Sequence, residues 1–204
     1  MINLEGSPRD IWKKYLSKNI SIGGWMEDST SISSNICLSK RELFGLIILA
    51  NIYNHLSSNE SWRVCYDSGM PEPNDGYITD GVTKIQVESK IIPQIVKGNP
   101  LEEILSTYKK YVKKGDGYGK NRTIIIFPNQ TTEGLIKISS LKDYIKDENR
   151  CSFDRVLLLH CVAIEDGEVA ILQVSEHFPL LKRAQVDFNL VTGVAAVPFC
   201  ELSK

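Results

Sequence analysis

The longest unbroken apolar run along the chain is Leu43 to Ala50, and largely apolar positions continue from there to Leu56. Ser39 with Glu42 three residues on reads as a capping box, so a buried helix is predicted from Ser39, ended by Ser57-Ser58-Asn59. Before it, Ser7 as cap and Pro8 at the first helical position predict a short helix over 8–16, and the Ser-, Gly- and Asn-rich residues 21–36 read as a loop. After it the period changes. Residues 62–66, 76–79 and 83–91 read as strands, the last two joined by Asp80-Gly81 in a hairpin. Apolar positions at 101, 104, 105, 108, 111 and 112 keep helical spacing behind Asn99-Pro100, predicting a helix over 101–114. The compact apolar segment 123–127, closed by Pro128, predicts a strand. A helix over 141–146 and strands over 155–163 and 169–174, joined around Asp166-Gly167, follow. The pattern over 175–204 assigns no element.

Fully apolar strands such as 123–127 are expected in a sheet covered on both faces. No linker splits the chain. The expectation is one α/β domain over 1–204: an N-terminal extension at 1–38, a core at 39–127, and further sheet with a C-terminal elaboration at 128–204.

Composition narrows the class. With 204 residues, 42% hydrophobic and 24% charged, the chain can bury one sizeable core. Net charge is −1, so bulk charge does not make it a polyanion binder, although a local basic groove is still open. No apolar run reaches membrane-spanning length, and Met1 to Gly6 carries no basic-then-apolar leader. Five scattered cysteines without a Cys-x-x-Cys pair argue against a zinc ribbon or a disulfide scaffold, and fit free thiols in a reducing, cytoplasmic setting.

The candidate chemistry lies between Asp75 and Lys90. Strand alternation puts Gln86, Glu88 and Lys90 on one face of the 83–91 strand, and Ile85, Val87, Ser89 and Ile91 on the other. Magnesium takes oxygen ligands, usually one or two carboxylates plus waters and substrate phosphates, and Asp75 with Glu88 supply that number. The ammonium of Lys90 is suited to holding an attacking water or neutralising charge on a phosphate. Adjacent carboxylates favour its charged form over a neutral base.

Asp75 followed by Glu88-Ser89-Lys90, on a hairpin after a buried helix and before an amphipathic helix and an apolar strand, resembles the PD-(D/E)XK nuclease superfamily over residues 39–127. The resemblance implies a restriction-endonuclease-like central mixed sheet flanked by helices. It implies Mg²⁺- or Mn²⁺-dependent cleavage of DNA phosphodiester bonds, of restriction type, and a homodimer fits it. Asp75 and Glu88 would ligate the metal, with the Ser89 carbonyl and Glu42 as further ligands. Lys90 would be the catalytic lysine, and Gln86 would contact substrate. Two departures stand out. Asn74 separates Pro73 from Asp75, and Ser occupies position 89 where the family usually has an apolar residue.

Residues 109–122 carry six basic residues against one acid, and Lys113, Lys114, Lys120 and Arg122 are candidate phosphate contacts. A solvated helix end, where lysines favour the C-terminal dipole, explains the same residues. His55, His160 and His177 share no ligand spacing, and His160 in an apolar strand reads as a core histidine. Trp12, Trp25 and Trp62 read as packing residues. A non-catalytic binding or immunity-type module on the same fold is the rival to a nuclease.

Overall fold

A computed structural model describes residues 3–17, 34–67, 76–91, 106, 119–127, 153–179 and 182–202. Its strands are β1 (Asn3–Gly6), β2 (Arg63–Asp67), β3 (Gly76–Thr79), β4 (Lys84–Ile91), β5 (Arg122–Phe127), β6 (Arg155–Glu165), β7 (Val169–Phe178), β8 (Lys182–Asn189) and β9 (Ala195–Cys200). They form one mixed sheet whose spatial order equals the chain order, β1 to β9. β4 runs parallel to β5 and β5 to β6; every other neighbour pair is antiparallel. The fold is α/β, with sheet predominating.

Helix α2 (Ser34–Ser57) packs on one face of this sheet. It meets β2, β3 and β4 from one half and β8 and β9 from the other, so the sheet curls around it. Residues 41 to 50 are all buried, as the apolar run predicts. Gly45 allows a close approach: a Cβ there would lie 3.1 Å from the Phe127 ring and 3.3 Å from Ile125. Helix and sheet thus gain area that any larger residue would hold apart. Removing apolar side chains of this size from water contributes roughly 1.5–3 kcal/mol each.

α2 begins at Ser34, several residues before the expected start. Ser39 therefore lies inside the helix, and the capping box read at Ser39 and Glu42 is corrected. Residues 34–36, expected in a loop, are helical. The helix still ends at Ser57, where Ser58 turns to φ 53°.

The N-terminal segment is built into the sheet. Strand β1 pairs with β2, an element the sequence reading did not assign. Helix α1 (Pro8–Ile11) follows, with the Ser7 hydroxyl accepting from Asp10 N, and continues as a π-helical turn over Trp12–Leu16. Trp12 and Leu16 are 1% exposed and belong to the core. The Trp12 indole N–H donates to the Leu190 carbonyl at 3.0 Å, tying this segment to the β8–β9 turn.

Strand β5 is buried on both alternating sets, Ile124 with Ile126 and Ile125 with Phe127, as expected of a sheet covered on two faces. Ser106 is helical, within the helix predicted over 101–114. The remainder of that helix, the helix over 141–146 and Trp25 lie outside the described residues. Trp62, 3% exposed, packs on Tyr53, and Cys65 and Cys161 are buried. No helix among the described residues is long and apolar enough to cross a membrane.

Candidate functional site

The register of the β3–β4 hairpin decides where Glu88 points. Its turn is held by Asp80 Oδ1, which accepts from Val82 N at 3.0 Å and Thr83 N at 2.6 Å. The Thr79 hydroxyl donates to the Thr83 carbonyl at 2.7 Å. Thr79 thereby pairs with Lys84 and Tyr77 with Gln86. A slip of one residue would exchange the two faces of β4.

On the far side, β4 pairs in parallel with β5, matching Ser89 to Ile125 and Glu88 to Ile124. Ile125 approaches Gly45 of α2, so Ser89 and Val87 face the helix. Gln86, Glu88 and Lys90 share the opposite, outer face, as the alternation predicts. Glu88 is 1% exposed. Lys90 Nζ lies 3.0 Å from Glu88 Oε1, with the lysine side chain 23% exposed. A sealed carboxylate thus meets an ammonium that still reaches solvent.

Gln86 Oε1 accepts from Arg122 Nε at 3.3 Å, between residues in direct parallel register. Arg122 starts β5 after a turn in which Asn121 adopts φ 61° and donates its N–H to Asp154 Oδ1 at 3.2 Å. Lys120 is exposed on that turn. Glu42 is buried on the helix face, where its Oε2 accepts from the Tyr66 hydroxyl at 3.3 Å. Asp75, Lys113 and Lys114 lie outside the described residues. Among the described residues no group of three or more His, Cys, Asp or Glu converges as a metal cage.

Two polar features have no counterpart in the sequence reading. Arg155 Nε donates to Glu176 Oε1 at 2.7 Å, and its Nη1 donates to the Tyr53 hydroxyl, across the helix–sheet interface. Burial pushes the Tyr53 phenol upward, partly offset by Arg155. Burial works against the charge on Arg155, but the bonds to Glu176 and Tyr53 outweigh it and hold the guanidinium protonated. Glu176 falls in the stretch where no element was assigned, so the pairing had no visible signal.

The second feature is His177, 2% exposed, with neither ring nitrogen hydrogen-bonded among the described residues. Burial pushes its pKa down to about 4. It sits at a bulge where Val156 pairs with Phe178 and Leu157 with Glu176. Strand β7, which carries His177, lies three strand spacings from β4, about 14 Å, so the histidine is too far from Glu88 to join it directly. Burial also lowers the pKa of half-buried His160, while His55 is exposed.

No family model matches the chain, and neither a curated protein nor a solved structure is significantly similar to it.

Proposed function

We propose that the protein is a metal-dependent nuclease acting on DNA, on a restriction-endonuclease-like core formed by α2 and strands β2 to β5. The observation that carries this reading is the pair Glu88–Lys90, 3.0 Å apart on one face of a strand that ends a hairpin and borders a parallel neighbour. A bound Mg²⁺ or Mn²⁺ would polarise a phosphoryl oxygen and acidify a water. Asp75 and Glu88 would hold the ion, with the Ser89 carbonyl as a further oxygen. Lys90 Nζ, 3.0 Å from Glu88, would orient water or neutralise charge developing on the phosphate. Gln86, locked to Arg122, presents an amide and a guanidinium one register step back along the same face.

Incubating the protein with plasmid and linear DNA, with Mg²⁺ or Mn²⁺, tests this directly. Cleavage lost in Glu88→Gln and in Lys90→Met supports the assignment. Cleavage indifferent to both substitutions removes Glu88 and Lys90 from the site.

The depth of Glu88, 1% exposed, favours a second reading: a binding or immunity-type module that keeps the pair as structure without turnover. Calorimetry showing no Mg²⁺ or Mn²⁺ binding, together with intact DNA, would select it.

A further inference from the structure

Strand β9 ends the sheet and has no neighbour beyond it among the described residues. Its hydrogen-bonding capacity is therefore half used. Asn189 N donates to the Val194 carbonyl, so antiparallel alternation turns the N–H and C=O of Ala195 away from β8. The register then slips. Ala196 matches Asp187 and Phe199 matches Gln185, which leaves Val197 and Pro198 without partners in β8. Pro198 has no N–H to offer, so the usable edge is Ala195 to Val197.

Sheet edges are normally guarded by charge, by brevity or by proline. β9 carries no charged residue, and Pro198 guards only its far half. The opposite edge is better protected: β1 is four residues long, and its Glu5 lies 3.7 Å from Arg63.

The open edge also forms one wall of a cleft. Ala195 and Val197 pack toward the core, and beside them α1 and the last turns of α2 leave an open space of about 640 Å³. Arg9, Asn51, His55 and Glu60 are among its lining residues. The Asn51 side-chain amide donates to the Ile47 carbonyl, which leaves its Oδ1 to accept. Arg9 and Glu60 form no ion pair among the described residues. Arg9 thus offers donors, and Glu60 and Asn51 offer acceptors, so the cleft suits a side chain that carries both, such as an amide. On the other face Phe199 is 46% exposed and shares a groove of about 320 Å³ with Val162, Ile171 and Gln185.

We propose that the edge of β9 is a docking site for an extended peptide segment of another protein, added to the sheet as a further strand. Successive side chains of a strand point to opposite faces. One side chain of the peptide enters the cleft beside Asn51, and the next lies against Phe199. Main-chain pairing supplies the hold, and the two flanking hollows select the side chains. A second copy of this chain fits less well. Paired through its own β9 it brings Ala195 and Val197, which are too small to fill the cleft. The site stands five strand spacings from β4, about 24 Å, and is independent of the nuclease reading.

A phage-displayed random nonapeptide library selected on the full chain supplies the probe. Selected peptides should alternate an amide-bearing residue with an apolar one. Fluorescence anisotropy then measures the best synthetic peptide and its backbone N-methylated forms. Methylating one alternate set of amides should weaken binding about tenfold or more, and methylating the other set should change it by less than about twofold. Val197→Pro, which removes an edge N–H, should also weaken binding about tenfold or more. Asn51→Leu should weaken the amide-bearing peptide by about tenfold and leave its alanine-substituted form unchanged. Thermal melting that matches the parent excludes misfolding as the cause. Failure to select any peptide above an unrelated control protein overturns the proposal. So does equal binding by parent and both variants, or equal loss from either methylated set. Light scattering that shows a parent dimer made monomeric by Val197→Pro puts a second copy on the edge and overturns the peptide assignment. None of these results bears on cleavage at Glu88 and Lys90.

Discussion

Lys90 holds its ammonium 3.0 Å from a carboxylate oxygen of Glu88 that solvent barely reaches. The two are therefore coupled in stability as well as in any chemistry they perform. Lys90→Met removes this ammonium from beside the buried Glu88 carboxylate. We expect a destabilisation of about 1–3 kcal/mol, read as a lower midpoint in urea. Glu88→Gln/Lys90→Met should be more stable than the sum of the single changes implies. If the lysine assists turnover, Lys90→Met also lowers kcat by about 10²–10³-fold, and kinetics separate this from the folding defect.

Acid should weaken the fold through His177. An unfolded histidine titrates near 6.5, whereas burial holds this one near 4. Between those values the unfolded chain takes up a proton at this position and the folded chain does not. Stability thus falls as pH drops from 6.5 and levels off below about 4, with His177 responsible for about 3 kcal/mol of the change. Urea titrations across this range should show a shallower loss in His177→Phe. An unchanged pH dependence in that variant would rule out the histidine as its source.

Arg155, Glu176 and Tyr53 respond as a unit. Glu176 is 2% exposed, so Arg155→Met strands a buried carboxylate and should cost about 3–5 kcal/mol. Replacing both members, Arg155→Met with Glu176→Leu, should recover much of that loss. A double-mutant cycle by chemical denaturation gives the coupling, and strict additivity would contradict the proposed pairing.

Gly193→Ala tests the contact between the chain's two ends. Gly193 has φ 69°, and a Cβ there would collide with the Trp12 indole. Both the backbone penalty and the clash act in the same direction, so a loss above about 2 kcal/mol is expected from thermal or urea melting. Trp12→Phe removes the bond to the Leu190 carbonyl and should destabilise by about 1 kcal/mol or more.

What could be read from the sequence was set by periodicity. The apolar run at Leu43 to Ala50, the Asp80-Gly81 turn and the alternation from Lys84 to Lys90 each carry a local signal, and each appears in the fold. The start of α2 was misplaced because Ser39 and Glu42 match a capping pattern while the helix continues back to Ser34. Strand β1 is only four residues long, too short for alternation to show. Strands β8 and β9 were not assigned, although β8 alternates between buried and half-exposed positions over Lys182–Asn189. At the site, the shared face of Gln86, Glu88 and Lys90 follows from period two. The bond of Glu42 to Tyr66 and the partnership of Arg155 with Glu176 depend on pairings between distant segments, which periodicity does not encode.

The sheet grows in the order in which the chain is made, each strand laid beside the one before it. Each strand can therefore pair with the one made just before it, while the last strand made presents the open edge for the next. Trp12 is the exception. It is separated from its carbonyl partner at Leu190 by 178 residues, and the Gly193 turn that packs on it lies as far along the chain. The indole is thus covered in two stages, by Phe44 of α2 and then by Phe188 and the β8–β9 turn, and loss of that hairpin would uncover one side of Trp12.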